Sequence, residues 1–487
     1  MTKWHICDEK SDNRPMKILL IKPCEFNFIS AEMPEVLEKN IGFSPPLGLL
    51  YLAASILSFT NWDVEVIDAV AEQLSYDQLA SRIKTANPDL IGISAMTQIW
   101  IDCLKTAEIA KKVLPETKII LGGPHPHIYP QECLDFDCID YVIMGEGEKT
   151  IVELLDNFSN DEAKPGILGL GFKDNEGKPI VNQQRDFDHN LDAIPMPNRR
   201  LLDINLYSTA LTGNVKCTTM ITSRGCPYKC TFCDRPNLGK VFRARSAKNV
   251  VDEMEDCKNL GIDYIKIYDD TFTIDRIRVL EICRELKERK LNIQWDMRAR
   301  VNTVDKEMLL AMKKAGCCAI SYGIESGNEE IIMTLQKGIK KEQAVEVFQM
   351  TKEAGIKILA YFMFGCPSET LAQMQETIDF SIQLDADYCH YAILVPFPAT
   401  PLYLQGLKDG FYTFDYWREF VLHPTKDFKP KLWLEHVSEK DLHKIFKKAY
   451  NRFYMRPAYI WKRLKEVKSP AELINKAKIA FGISRIK

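Results

Sequence analysis

The stretch that decides the fold is Cys217-Thr-Thr-Met-Ile-Thr-Ser-Arg-Gly-Cys-Pro-Tyr-Lys-Cys-Thr-Phe-Cys233. Its first six residues, Cys217 to Thr222, are apolar or β-branched and read as a buried strand. Cys226, Cys230 and Cys233 follow at CxxxCxxC spacing, with Gly225 and Pro227 helping the loop to turn. Three thiolates on so short a loop are close enough to converge on one centre. A closed structural zinc site takes four ligands and an ordinary iron–sulfur cluster takes four cysteines, so three leave an iron open. A zinc knuckle or a set of buried thiols is the plain alternative for the three cysteines taken alone.

Downstream, one phrase recurs. Lys258-Asn259-Leu260-Gly261, Lys314-Ala315-Gly316 and Glu353-Ala354-Gly355 each end a helix-forming stretch at a glycine suited to the left-handed C′ position, and a β-rich run starts at once. Six strands are expected: Cys217 to Thr222, Asp263 to Tyr268, Asn292 to Asp296, Cys317 to Gly323, Ile356 to Met363 and Asp387 to Val395. Six parallel strands with outer helices make a partial barrel over 206–405, with active residues at the carboxyl ends of its strands. Residues 406–487 read as a helical C-terminal region.

Upstream, Lys17 to Pro23, Asp63 to Asp68, Asp89 to Ala95, Lys118 to Gly122 and Asp140 to Met144 are short apolar runs flanked by turn residues, as buried parallel strands should be. Ile101, Leu104, Ala107, Ala110 and Val113 recur at helical spacing and supply a crossover. Residues 16–150 therefore read as a doubly wound, Rossmann-like α/β domain. Residues 151–205 read as a linker holding a β-hairpin, Leu168 to Lys173 and Lys178 to Asn182, and a stiff Pro195-Met196-Pro197 connector.

Composition agrees with a multidomain α/β chain. At ~150 residues per domain, 487 residues suggest roughly three domains. No apolar run reaches the ~18–20 residues of a membrane span, the longest candidate being Leu47 to Leu57. Met1 to Pro15 is polar and unlike a secretory signal. Lys plus Arg (64) nearly balances Asp plus Glu (67), which does not suggest a nucleic-acid binder. Fifteen cysteines without an export signal point to reduced thiols or metal ligands in the cytoplasm.

The cysteine loop at the end of the first barrel strand resembles that of the radical S-adenosylmethionine (SAM) superfamily, with Phe232 at the family's usual aromatic position. The resemblance implies a [4Fe–4S] cluster on Cys226, Cys230 and Cys233, and cleavage of SAM at its open iron to a 5′-deoxyadenosyl radical. It also implies SAM contacts from Asp270 after the second strand, from Glu325 and Ser326 at the end of the fourth and from Gly365 at the end of the fifth. Arg300 is expected either to pair with the SAM carboxylate or to make a structural ion pair, and Ser326 to double as a helix N-cap.

The first domain resembles the cobalamin-binding domain of B12-dependent radical SAM enzymes. The matching features are Ser44-Pro45-Pro46-Leu47-Gly48-Leu49, Asp68, Ser94, Gly122-Gly123-Pro124-His125-Pro126 and Gly145-Glu146-Gly147-Glu148. Cobalamin contacts are thereby implied for Asp68, Ser94, Gly122, Gly123 and Gly145, the two adjacent glycines removing side chains where a cofactor tail slides past. The methionine synthase-type Asp-x-His-x-x-Gly is replaced by Asp68-Ala69-Val70-Ala71-Glu72-Gln73, so this loop offers no imidazole to cobalt, although His125 and His127 are near in sequence. A Rossmann scaffold that has lost its cofactor is the alternative.

The tail carries Lys444, Lys447, Lys448, Arg452, Arg456, Lys462, Arg463, Lys465 and Lys468 among Phe446, Tyr450, Phe453, Tyr454, Tyr459 and Trp461. Phe453 to Pro457 resembles the tail of proteins related to the anaerobic magnesium-protoporphyrin ester cyclase. The tail is expected either to pack on the barrel or to touch an anionic membrane surface. The family reading is methyl transfer to an unactivated carbon of a small-molecule or lipid-like substrate, fed by a reductant such as flavodoxin or ferredoxin. Oxidative cyclisation of a porphyrin side chain and a non-catalytic cobalamin sensor or carrier are the alternatives. Cys24, Cys103, Cys133 and Cys138 do not match the second-cluster set of a methylthiotransferase.

Overall fold

The computed structural model describes residues 14–29, 43–208, 215–234 and 239–465; Lys468 of the basic tail lies outside them. Strands β1 (Lys17–Lys22), β2 (Asp63–Asp68), β3 (Leu90–Ser94), β4 (Lys118–Gly122) and β5 (Tyr141–Ile143) are parallel, in the order β2-β1-β3-β4-β5. Helices on both faces explain why Ile18, Leu19, Leu20 and Ile21 are all buried in one unbroken run. The expected crossover is the helix Trp100–Val113. Strand order reverses between β1 and β3, which opens a crevice at their carboxyl ends.

The hairpin expected in the linker belongs instead to this sheet. β6 (Leu170–Lys173) and β7 (Pro179–Val181) extend it antiparallel beyond β5. Three-residue β5 would otherwise be an uncovered edge, and Leu170 and Phe172 bury themselves in covering it.

In the second unit β8 (Cys217–Met220), β11 (Tyr264–Ile267), β12 (Gln294–Ala299), β13 (Cys317–Glu325), β14 (Lys357–Phe364) and β15 (Tyr388–Ile393) run parallel in the order β15-β14-β13-β12-β11-β8. β8 and β15 do not pair, so the barrel is open. A short antiparallel pair, β9 (Ser223–Arg224) with β10 (Arg243–Ala244), frames the cysteine loop. Ile265, Trp295, Met297, Ile320, Tyr322, Ile358 and Phe362 fill the core between strands and outer helices. Gly261, Gly316 and Gly355 take φ of +76°, +99° and +72°, as expected of helix-terminating glycines.

One strand is longer than its sequence suggests. The sequence ends β12 at Asp296, but it runs to Ala299. Trp295, Met297 and Ala299 are buried against the helices, while Asp296 and Arg298 alternate toward the lumen. The lumen of an open barrel is wet, so charges that look like a turn are compatible with a strand.

β15 is an edge, and the tail completes it. The helices Glu439–Tyr454 and Pro457–Lys465 bring the hydroxyls of Tyr450, Tyr454 and Tyr459 to the carbonyls of Tyr391, Cys389 and Asp387, at 3.0, 2.7 and 2.9 Å. The first two hydroxyls also accept from the N–H groups of Tyr391 (3.3 Å) and Cys389 (3.1 Å). One helical turn advances about 5.4 Å and two strand residues about 6.6 Å, so the two repeats nearly match. Arg463 and Arg456 anchor the tail to Asp387 (2.7 Å) and Asp385 (3.3 Å). The tail's buried aromatic side chains thus serve the barrel, and Trp461 stays 63% exposed. Among the described residues no helix is long and apolar enough to cross a membrane.

Candidate cluster and cofactor site

The cysteine loop is clamped at its entry. Asp269, buried at the end of β11, accepts from the Thr222 amide (2.6 Å), the Thr222 hydroxyl (2.5 Å) and the Ser223 hydroxyl (2.6 Å). Further along, the Thr231 amide donates to the Leu335 carbonyl (3.1 Å) and the Thr231 carbonyl accepts from the Leu402 amide (2.9 Å). The loop is therefore held from three sides at the carboxyl end of the barrel.

The three cysteines are electrostatically coupled. Cys233 is pushed up to about 12 by burial, then by the neighbouring charges of Asp270, Cys230 and Cys226, with Lys337 opposing. Three sulfur ligands on one short loop are a donor set that suits a bound cation, whose charge offsets the repulsion that raises Cys233. Among the described residues no three His, Cys, Asp or Glu side chains could hold one metal ion. A cubane places each cysteine on a different iron, so its ligands need not converge as those of a single ion do. The described cysteines are all free thiols.

The residues expected at SAM meet different fates. Asp270 is solvent-exposed at the strand end, and burial on its other sides, then Asp269, raises its carboxyl while Arg298 opposes the rise. Arg300 is 5% exposed and already engaged: it donates to Cys230 Sγ (3.4 Å) and to the Lys337 carbonyl, and it lies 3.7 Å from the Tyr228 ring centroid. Among the described residues no acidic side chain pairs with it, so the ion pair expected as its structural alternative is not seen. Glu325, with φ +69°, binds Lys337 Nζ through Oε1 at 2.6 Å. Ser326 is wholly buried and faces outward, to the Thr377 hydroxyl (3.1 Å) and the Asn328 amide (3.1 Å). It is not the helix N-cap; Asn328 is. Phe232 lies partly buried, its ring centroid 5.8 Å from Lys337 Nζ. Gly365 takes φ +78°, and a Cβ there would stand 3.1 Å from the Leu442 side chain of the tail helix.

On the first sheet, Ser94 and Gly122 are register partners at the carboxyl edge, and a Cβ on Gly122 would meet nothing within 4 Å. Open space thus lies at the position where a cofactor tail is expected to pass. Gly123 has a different reason: φ is +109° and a Cβ would stand 2.7 Å from the Ala95 carbonyl. Gly145, at φ +69°, borders Gln184. Asp68 is fully buried, with Oδ1 accepting from the Val70 (3.2 Å) and Ala71 (3.1 Å) amides and Oδ2 from the Tyr207 hydroxyl (3.1 Å). Its carboxylate caps its own loop and ties the segment leading into the barrel to the sheet. His125 is fully buried against Trp100 with Nδ1 3.1 Å from the Thr97 hydroxyl, and burial lowers it to about 3. A core position explains that imidazole.

Two functional candidates escaped the sequence. Lys337 gives no local signal, since only the fold brings it to Glu325. Arg298 was readable: the alternation Trp295-Asp296-Met297-Arg298-Ala299 is a strand pattern that places it on the lumen face. Its guanidinium lies 4.5 Å from the Tyr268 ring centroid and, among the described residues, has no ion-pair partner.

Known proteins share this layout. The B12 binding domain model matches residues 37–155 and the Radical SAM superfamily model residues 220–381. An uncharacterized methyltransferase of Pyrococcus horikoshii is 34% identical over 93% of this chain and 95% of its own. The anaerobic magnesium-protoporphyrin IX monomethyl ester cyclase of Rubrivivax gelatinosus is 28% identical over 91% and 78%. The radical SAM methyltransferase TsrM of Kitasatospora setae, solved with cobalamin and a [4Fe–4S] cluster, shares the fold at TM-score 0.66 and 19% identity, over 81% of this chain and 78% of that one. With its sheet of seven strands, its open barrel and its three-cysteine loop, the chain belongs to the radical SAM enzymes that carry a B12-binding domain, a family whose cofactors are a [4Fe–4S] cluster, SAM and cobalamin.

Proposed function

We propose that the protein is a cobalamin-dependent radical SAM methyltransferase acting on an unactivated carbon of a small-molecule or lipid-like substrate, with an external low-potential reductant such as flavodoxin or ferredoxin. When bound, the cluster supplies the electron that cleaves SAM to a 5′-deoxyadenosyl radical, and cobalamin carries the methyl group. Cys226, Cys230 and Cys233 hold the cluster, and Arg300 gives an N–H to the Cys230 sulfur. Asp270 and Arg298, an exposed acid and a guanidinium at the barrel mouth with no ion-pair partner among the described residues, receive the ammonium and carboxylate of SAM. Glu325 keeps Oε2 for the ribose hydroxyls while Lys337 fixes Oε1. Phe232 walls the site, and the Gly365 backbone lies at its far rim. Ser94, Gly122 and Gly145 line the cobalamin cradle.

The observation that carries this reading is the three-cysteine loop, clamped by Asp269 next to Asp270 at the carboxyl end of an open barrel. The methyl-transfer outcome rests on the Pyrococcus and Kitasatospora proteins' names; the Rubrivivax cyclase supports oxidative cyclisation as the second reading. Anaerobically reconstituted protein with a strong reductant should release 5′-deoxyadenosine from SAM and show a cubane EPR signal that changes on adding SAM. Replacing Cys226, Cys230 and Cys233 together with Ala should abolish both and leave hydroxocobalamin binding intact. Wild-type protein with no cubane signal would overturn the proposal.

A further inference from the structure

The cysteine loop and the first sheet's carboxyl edge belong to different domains, yet one guanidinium joins the loops of both. Arg224 is 7% exposed and stands two residues before Cys226. Its Nη2 donates to Glu148 Oε1 at 2.5 Å, and its Nη1 lies 3.2 Å from Glu146 Oε1. Glu146 directly follows Gly145 of the cobalamin edge, and Glu148 opens the next helix, Glu148–Asp156. Glu146 also holds Arg243 at 2.9 Å, on the strand that pairs with Arg224's own. The Tyr51 ring, from the helix Leu47–Phe59 of the first domain, lies 5.4 Å from the Arg224 guanidinium. Two carboxylates and two guanidiniums thus meet in one largely buried group across the seam.

Such a group is a poor choice for stability alone. Taking charges out of water costs about as much as their attraction returns, and an apolar patch of the same volume would hold two domains equally well. What a guanidinium between two carboxylates adds is a fixed distance and direction. Here that geometry acts between residues only one and two positions from Gly145 and Cys226.

We propose that Arg224, with Glu146 and Glu148, is a positioning residue that sets the register of the cobalamin edge against the cluster loop, so that SAM held at the cluster is presented to cobalt. The inference rests on the cofactor placement proposed above. Two products of SAM separate the roles. Loss of the methyl cation to cobalt(I), which supplies the electron pair of the new bond, leaves the carbon–sulfur pair on S-adenosylhomocysteine and demands that both loops be in register. One-electron cleavage at the cluster gives methionine and, after hydrogen-atom uptake, 5′-deoxyadenosine, and demands the cluster alone.

The test uses full-length protein reconstituted anaerobically with iron, sulfide and hydroxocobalamin, reduced with titanium(III) citrate and supplied with SAM. Arg224→Gln should retain iron and cobalamin and form 5′-deoxyadenosine at the wild-type rate, while S-adenosylhomocysteine falls at least tenfold. The EPR spectrum of the reduced cluster beside cob(II)alamin should lose the dipolar broadening that wild-type protein shows, and Arg224→Lys should recover part of both. If Arg224→Gln does not fold, Glu148→Gln, isosteric and keeping Glu146, is read in the same way. Unchanged S-adenosylhomocysteine and unchanged broadening, or wild-type protein without broadening, overturns the proposal. Wild-type protein that forms neither product overturns the proposed function instead, and the broadening still reports on the strut.

Discussion

Glu369 carries a pH signature in a single carboxyl group. It is 2% exposed, and Oε2 accepts from the amides of Gly365 (2.8 Å) and Cys366 (3.0 Å). Burial raises it to about 7 against those two bonds and the neighbouring Cys366 thiol. A folded value above the unfolded one means that the native state holds the extra proton between the two. The stabilisation is therefore complete below the unfolded value of about 4.5 and is lost as pH rises through 7. Glu369→Gln should flatten the fall in denaturant stability across that window, measured as unfolding midpoints at several pH values. Single residues also show where the sequence was legible. The cysteine spacing states its chemistry, because three thiols in eight residues have few structural uses. Arg300, Ser326 and Asp68 were not legible in the same way: each has the residue type its expected role needs, but the partners that engage it come from elements far along the chain.

Among elements, β15 and its row of tyrosines make the clearest case. Tyr454 both donates to and accepts from Cys389, so its removal strands two backbone groups at a buried edge. Tyr454→Phe should cost about 1–3 kcal/mol by chemical denaturation, and the Cys389 amide should exchange hydrogen faster. Strand positions were read well wherever a β-rich run followed a helix-ending glycine. The misreadings have one cause. The end of β12 faces a wet lumen, and the hairpin β6–β7 covers an edge, so neither shows the continuous apolar run of a strand buried on both faces. The tail's helical character was plain; that its phenols face a strand required the fold.

For the molecule as a whole, Glu253 is a junction. Fully buried on the helix Ala247–Asn259, it pairs with Arg199 from the linker (2.7 Å) and with Arg245, which also donates to the Tyr51 hydroxyl of the first domain (3.3 Å). Glu253→Gln leaves two buried guanidiniums without compensation and should destabilise the protein by roughly 3–5 kcal/mol in a denaturant titration, while Arg224→Gln leaves Glu146 its pairing with Arg243 but takes from Glu148 the guanidinium it pairs with. The order of the domains was legible from strand and helix alternation, and the ionic seam between them was not, since Arg199, Arg224 and Glu253 look like ordinary surface charges in the sequence. The phenol row on β15 has one more outcome. A sheet finished by side chains offers no free backbone rim on that flank, so a stray polypeptide finds nothing to zip onto there, and a molecule clipped short of its final helices would bare that rim and turn adhesive.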